Sequence, residues 1–298
     1  MSERALFPTQ IGQLLVTVHQ PGGPTGERTY TARWEGPPTI LISPELMAEH
    51  IDPPFHLAGD DLTICQYRLR ITGRTPAGDY IAERVDQVLV AVPIRAAQLT
   101  RWEAAVRRNF GGLTYPHKQL ALLPNQLQTN GRHYEPNAIA RNLLLEACLG
   151  PQHTHVLWVD ADLVRVPPDL IEQLLAVSRV DVVAPLVFVE QPGGWFYDTG
   201  GFRRAGLAAA MHPPIFPGYA GGLLELESVG TCYLAPAEIY REHGLRYSVT
   251  GGEVEHVGLL AQARALGYRV WATDSCTVEH AYLPNHGEGW RHVGAENA

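Results

Sequence analysis

No stretch of this 298-residue chain is apolar over the roughly 20 residues that a membrane-spanning helix needs. The longest apolar runs, Val88 to Ile94 and Val182 to Val189, are less than half that length. The opening residues, Met-Ser-Glu-Arg-Ala-Leu-Phe-Pro, have neither the basic start nor the continuous apolar core of a secretory signal, so the expectation is a soluble cytoplasmic chain. Cysteine is scarce. Cys65, Cys148, Cys232 and Cys276 stand far apart with no C-x-x-C pair, which favours buried thiols over a disulfide framework or a zinc site. There is no Walker lysine loop, no G-x-S-x-G and no G-x-G-x-x-G behind a strand, so kinase, hydrolase and dehydrogenase readings have no motif to stand on. Positive charge is in deficit too: 23 Lys and Arg face 31 Asp and Glu, a net charge of −8 that argues against a generic nucleic-acid or anionic-membrane coat.

What is present is an ordinary globular composition, 45% apolar and 18% charged, and enough chain for one large domain or two smaller ones. Residues 1–85 alternate short β-prone runs (Leu14 to Val18, Thr29 to Trp34, Thr39 to Ile42, Leu62 to Ile71, Tyr80 to Val85) with turn clusters such as Pro21-Gly22-Gly23-Pro24. They read as a small antiparallel β module. In Leu62 to Ile71, Gln66, Arg68 and Arg70 alternate with apolar positions, the pattern of a strand with one wet face. From residue 86 to the end the rhythm is strand then helix. The run Val88 to Ile94 precedes Leu99, Trp102, Val106 and Phe110 at helical spacing, and strand Gln119 to Leu123 precedes a helix faced by Ile139, Leu143, Leu144 and Ala147. Strand His155 to Val159, a helix opened by Pro167-Pro168-Asp169, and strands Val182 to Phe188 and Tyr268 to Ala272 follow. This order predicts an α/β fold with a mostly parallel sheet flanked by helices.

Ligands of such sheets bind beyond the carboxyl ends of the strands, so residues just after a strand carry most weight. Strand His155 to Val159 runs straight into Asp160-Ala161-Asp162, two carboxylates that can share a hard divalent cation such as Mg²⁺ or Mn²⁺ with water and phosphate oxygens. Eleven aspartates scattered over the chain give a D-x-D by chance roughly 0.4 times, so its place at a strand end is what distinguishes it from a solvated turn. Gly251-Gly252-Glu253-Val254-Glu255-His256 crowds two carboxylates and an imidazole before a helix with Leu259, Leu260, Ala263 and Leu266. That is a place for a base or an acceptor-binding group, or for carboxylates that merely cap a helix. His280 ends the run Cys276-Thr277-Val278-Glu279 and is a ligand candidate or a satisfied polar residue. His153 and His155 read as a loop entering a strand rather than as a second metal site, and Trp195 to Asp198 as an aromatic loop for a sugar or for packing. The tail with Tyr282, His286, Trp290 and His292 is either a lid or a frayed end.

Taken in order, these segments resemble a glycosyltransferase of the GT-A fold, and most of all the fungal Anp1/Van1-type α-mannosyltransferase family. The likeness runs over about residues 86–282, through Val90 to Arg95, Leu113 to Pro116, Arg141 to Leu144, Val156 to Asp162, Pro167 to Leu170, Asp181 to Pro185, Phe196 to Asp198, Gly252 to Glu255, Gly267-Tyr268 and His280. The resemblance implies a nucleotide-diphosphate sugar donor, a UDP- or GDP-sugar, with Pro93, Ile94, Arg95, Arg141 and Asp160 near the nucleotide. Asp160, Asp162 and His280 would hold Mn²⁺ or Mg²⁺ on the diphosphate. It makes Glu255, Glu253 and His256 the catalytic candidates. Many inverting relatives carry Glu-Asp where this chain has Glu255-His256, and Glu253-Val254-Glu255 fits the Glu-x-Glu of the fungal family, which retains anomeric configuration.

The hydroxyl acceptor is left open. A phage-type enzyme acting on hydroxymethylated pyrimidines in DNA is one alternative, for which Arg68, Arg70, Arg74, Arg101, Arg107 and Arg108 would supply a local basic face. A catalytically inactive nucleotide-sugar binding module and a nucleotidyltransferase are others.

Overall fold

The β-prone runs at the start of the chain pair, in the computed structural model, into a six-stranded sheet. Its strands are β1 (Gly12–Val18), β2 (Gly26–Trp34), β3 (Thr39–Ile42), β4 (Asp61–Ile64), β5 (Tyr67–Arg74) and β6 (Tyr80–Val85), in the order β1-β2-β3-β6-β5-β4. Every pairing is antiparallel. The structure describes residues 12–18, 26–34, 39–42, 61–64, 67–74, 76, 80–125, 135–190, 195–212, 214–249 and 254–281; Cys65, Gln66, Glu253, Tyr282, His286, Trp290 and His292 lie outside them. One expectation is corrected. The run Leu62 to Ile71 is two strands rather than one, with Ile64 paired to Tyr67 in antiparallel register.

One compact unit takes in the described residues up to Val88 together with 150–154, and the other takes in 89–149 and 155–281. Within the first, Thr154 closes on the end of the β segment: its N–H donates to the Gln87 carbonyl at 2.8 Å, and Gln87 N–H donates to Thr154 Oγ1 at 3.0 Å. His153 accepts the Gly150 N–H through Nδ1 at 3.0 Å.

The second unit alternates strand and helix as expected: β7 (Val88–Arg95), α1 (Ala96–Gly112), β8 (Lys118–Asn125), α2 (Glu135–Cys148), β9 (His155–Val159), β10 (Leu163–Arg165), α3 (Leu170–Val177) and β11 (Val182–Val189). A hairpin of β12 (Arg203–Arg204) and β13 (Leu207–Ala208) follows, then β14 (Leu223–Leu226), β15 (Cys232–Pro236), α4 (Glu238–Arg241), α5 (Glu255–Ala265) and β16 (Val270–His280). The sheet order is β10-β16-β11-β15-β9-β7-β8, with β14 on β16. Strands β9 and β11 both run antiparallel to β15, hence in one direction, and β16 is parallel to β11. The result is the mixed, mostly parallel sheet flanked by helices that the strand–helix rhythm predicts. Its central strands are buried on both faces, which is why β9 reads as His-Val-Leu-Trp-Val without polar alternation.

Three local expectations change on packing. On α2 the buried face is Ala138, Arg141, Leu144 and Leu145, while Ile139, Leu143 and Ala147 face outward. A charged residue inside and three apolar ones outside defeat a reading by hydrophobic period, because Arg141 has partners waiting for it. Leu266 lies beyond α5 and is exposed. There the chain leaves the helix through Gly267 at φ 91°, with Gly267 N–H on the Arg264 carbonyl (2.8 Å) and Tyr268 N–H on the Ala263 carbonyl (3.1 Å). The runs around Ala272 and Cys276 are one strand, β16, with a register shift opposite Pro185 and Leu186 that carries it on to His280.

Among the described residues no helix is long and apolar enough to cross a membrane. Cys232 and Cys276 are buried and Cys148 is half-buried, all three as free thiols.

Candidate active site

A cleft of about 330 Å³ opens at the carboxyl ends of β7, β9 and β16, lined by Pro93, Ile94 and Arg95 from the first, Asp160, Ala161 and Asp162 after the second, and His280 from the third. Strand ends that share a cleft run in one direction, so β7 joins the parallel body of the sheet. Gln98 and Trp102 of α1, Arg141 of α2, Tyr197 and Asp198 after β11, and Glu255 and His256 at the start of α5 complete the walls.

The acidic pair is held by its backbone. Asp160 N–H donates to the Thr231 carbonyl at 3.1 Å, Ala281 N–H donates to the Asp162 carbonyl at 2.9 Å, and Asn109 of α1 donates through Nδ2 to the Leu163 carbonyl at 2.8 Å. The two side chains then face different partners. Asp160 Oδ1 accepts from Arg141 Nη2 at 3.1 Å, and Asp162 Oδ1 lies 3.0 Å from His280 Nε2. Arg141 also reaches Glu255, Nε to Oε1, at 3.3 Å. Beneath the guanidinium lie the rings of Trp158 and Tyr247, at 5.0 and 5.5 Å. Those rings are fixed in turn: Trp158 Nε1 donates to the Tyr240 hydroxyl at 2.9 Å, the Tyr247 hydroxyl meets those of Tyr233 and Tyr240 at 2.5 and 3.2 Å, and Asn142 exchanges two 2.9 Å hydrogen bonds with the Tyr247 backbone.

Burial and like charge leave this cluster short of positive charge. Burial, with Asp162 and Glu255 adding repulsion, pushes the Asp160 carboxyl up to about 7 against the pull of Arg141 and His280. Burial opposes the Arg141 charge as well, yet the groups around it hold the guanidinium above its usual range. For His280 burial also works against protonation, but the hydrogen bond and charge of Asp162 outweigh it and raise the imidazole. His280 Nδ1–H donates to the Ala281 carbonyl at 2.9 Å, and Tyr197 stacks on the ring at 3.6 Å.

Among the described residues no three His, Cys, Asp or Glu side chains are gathered into a ready-made metal cluster. The donors that face the cleft nonetheless suit a hard divalent cation. Asp160 and Asp162, one residue apart, offer carboxylate oxygens, and a His280 anchored through Nδ1–H would present Nε2 to such an ion.

Asp198 is buried and accepts the Thr231 N–H at 2.9 Å, and burial raises its carboxyl. Gly230 lies against it. A β-carbon on Gly230 would sit 2.6 Å from Asp198 Oδ1 and 2.8 Å from His256 Nε2, so only glycine allows the two side chains to close on this backbone. His256 Nδ1 is 3.8 Å from Glu255 Oε1, and burial lowers its imidazole. Among the described residues, Arg141 Nη1, Glu255 Oε2 and both His256 ring nitrogens are buried without a hydrogen-bond partner.

Of the candidates read from sequence, Pro93, Ile94, Arg95, Arg141, Asp160, Asp162, Glu255, His256 and His280 all line this one cleft, while Glu253 lies outside the described residues. Asp198 and Gly230 went unassigned by that reading; the available signal was a carboxylate closing an aromatic loop after a strand. His155 is part of β9 and donates through Nε2 to the Arg179 carbonyl at 2.9 Å, a structural role rather than a metal site.

The Anp1 family model matches residues 125–211, which include Asp160, Asp162 and Asp198. The "Vanadate resistance protein" of Candida albicans is 28% identical over 49% of this chain and 40% of its own length. The "Mannan polymerase I complex VAN1 subunit" of Saccharomyces cerevisiae is 28% identical over 49% of this chain and 33% of its own. The chain therefore spans less than half the length of these curated relatives. Among solved structures, Staphylococcus aureus TarS 1-349 superposes at a TM-score of 0.42 with 10% identity, over 65% of this chain and 60% of that one. GalNAc-T7, in a structure described as containing UDP, GalNAc and Mn²⁺, superposes at 0.41 with 16% identity, over 66% and 44%. Over part of its length the chain is similar to the Anp1 family and to these fungal proteins.

Proposed function

We propose that this chain transfers a sugar from a nucleoside-diphosphate sugar, a UDP- or GDP-sugar, to a hydroxyl acceptor. The observation that carries the reading is the meeting of Asp160, Asp162, Glu255 and His280, residues from three distant segments, in one cleft with the end of β7.

In this reading Pro93, Ile94 and Arg95 border the nucleotide, and Asp160, Asp162 and His280 hold Mn²⁺ or Mg²⁺. When bound, the cation supplies positive charge to offset the departing diphosphate. Arg141 pairs with both Asp160 and Glu255 and fixes the direction of each carboxylate. Glu255, with one oxygen on Arg141, borders the cleft, where it orients the acceptor hydroxyl or faces the positive charge that grows on the anomeric carbon. Retention of anomeric configuration follows the likeness of Glu253-Val254-Glu255 to the fungal family. Residues up to 85 are a separate β module in this scheme, and 86–298 the transferase domain.

The test is thermal unfolding with UDP-, GDP-, ADP-, CMP- and dTDP-sugars, each with Mn²⁺ and with EDTA, followed by assay of nucleoside diphosphate release. A ligand at 100 times its Kd adds about 2.7 kcal/mol to stability. One donor family that shifts the midpoint with Mn²⁺ alone and then releases its nucleoside diphosphate is the expected result. No shift with any donor, or release of pyrophosphate instead, sinks the reading.

A further inference from the structure

The Asp198 carboxylate is buried in the wall of the cleft, and the reaction proposed above gives it no part. Its oxygens are taken by backbone. Oδ2 accepts the Thr231 N–H at 2.9 Å, and the Gly230 and Gly201 N–H groups donate to the same carboxylate. A carboxylate has about four lone-pair sites, so three backbone donors leave it little to offer a ligand. Glycine makes the arrangement possible: a β-carbon on Gly201 would press on Asp198 Oδ1 and sit 2.8 Å from the Gly230 Cα.

What Asp198 holds is the last rung of the sheet below the acidic pair. Strands β9 and β15 pair antiparallel as far as Val159 opposite Cys232. One residue further on, the Thr231 carbonyl accepts the Asp160 N–H at 3.1 Å. Thr231 therefore carries Asp198 on its N–H and Asp160 on its carbonyl. A strand end frays because its last hydrogen bond has no neighbour beyond it. Here an acidic acceptor stands in the neighbour's place, and hydrogen bonds to an ionised group are the stronger kind. The surrounding backbone is tied to the same loop: Arg203 N–H donates to the Ser228 carbonyl at 3.2 Å, Glu227 N–H to the Arg203 carbonyl at 2.7 Å, and the Ser228 hydroxyl to the Gly201 carbonyl at 2.5 Å.

We propose that Asp198 is a positioning residue: through Thr231 it fixes where Asp160 leaves β9, and with it the geometry that the Asp160 and Asp162 pair presents to a divalent cation. It touches neither the cation nor the substrate in this role. The part played by the cation rests on the transferase reading above, whereas the hold of Asp198 on Asp160 stands on the backbone geometry.

The test compares the full chain as wild type, Asp198→Asn and Val183→Ala, the last a buried substitution at the start of β11 that weakens the sheet as a control. Amide hydrogen exchange of the metal-free protein is followed by NMR, and Mn²⁺ affinity is measured by electron paramagnetic resonance with GDP and with UDP. In Asp198→Asn the Thr231 and Asp160 amides are expected to exchange at least about tenfold faster, while the amides in the middle of β9 stay within about threefold of wild type. Mn²⁺ affinity in the presence of the nucleoside diphosphate should fall about tenfold or more, the scale seen when a group behind a metal ligand is removed. Val183→Ala should leave that affinity at the wild-type value. Uniform acceleration across the sheet in Asp198→Asn, or an Mn²⁺ affinity that does not move when Asp160 is loosened, overturns the positioning role and leaves the transferase reading standing. A wild type that binds no Mn²⁺ with either nucleotide removes the transferase reading, and exchange then decides the hold on Asp160 separately: acceleration confined to Thr231 and Asp160 keeps it, and none ends it. Should Asp198→Asn fail to fold, wild type decides: Thr231 and Asp160 amides as slow as those in the middle of β9 support the role, and fast exchange at either ends it.

Discussion

Arg141 binds Glu255 across 114 residues of sequence, Nε to Oε1 at 3.3 Å, while its Nη2 holds Asp160, so one buried guanidinium joins the strand-end acidic pair to the first turn of α5. Removing one partner of a buried ion pair leaves uncompensated charge and costs about 3–5 kcal/mol. Arg141→Met is expected to lose stability on that scale in urea unfolding. Arg141→Lys should recover only part of it, because a single ammonium cannot span both carboxylates as the planar fork does. A loss below about 1 kcal/mol for the methionine variant would show that the pair is not what holds these segments together.

The acidic pair should be visible in stability against pH. Asp160 has a folded-state pKa of about 7 against an ordinary 3.8, so between those values the folded chain binds the extra proton. This group's contribution therefore improves as pH falls from about 7 towards 4 and is unfavourable above 7. Asp160→Asn is expected to raise the melting temperature of the metal-free protein at pH 8 more than at pH 5. The same difference at both values would contradict the assignment. The comparison between variants matters because His256, lowered by burial, titrates in the opposite sense: its protonation below the ordinary 6.5 favours the unfolded chain.

Asp162→Ala should abolish any stabilisation that Mn²⁺ adds in the presence of nucleoside diphosphate, reproducing wild type in EDTA. Donor turnover should fall by at least about a hundredfold. An unchanged Mn²⁺ response would move the cation away from this strand end.

Gly230→Ala adds one methyl group where Asp198 and His256 leave no room, at 2.6 to 2.8 Å from their polar atoms. Overpacking of this kind costs typically 1–3 kcal/mol. The variant is expected to lose stability on that scale in urea unfolding, and a loss below about 0.5 kcal/mol would show that Asp198 and His256 give way to the methyl group.

Much of the fold was legible because its signals are local. The all-apolar run of β9, the prolines before α3 and the apolar spacing in α5 each sit within one element. The acidic strand end was legible for the same reason, since Asp160-Ala161-Asp162 directly follows β9. The reading failed where the deciding contact is distant. The α2 face was assigned to Ile139, Leu143, Leu144 and Ala147, of which only Leu144 is buried, and beside it lies Arg141, whose partners are on two other segments. Asp198 was read only as the end of an aromatic loop, because a lone carboxylate there is unremarkable until Gly230 and His256 close on it.

The amino-acid sequence by itself determined the succession of strands and helices and the placing of two carboxylates at the end of a buried strand, because backbone preference and hydrophobic period act over a few residues. Only the tertiary structure decided that Arg141 would go inside, that Asp162 would face His280, and that Glu255 and His256 would be buried beside Arg141 and Asp198. The cost of burying a charge or a hydrogen-bonding group depends on what stands opposite it, and here those partners come from segments brought together by the sheet.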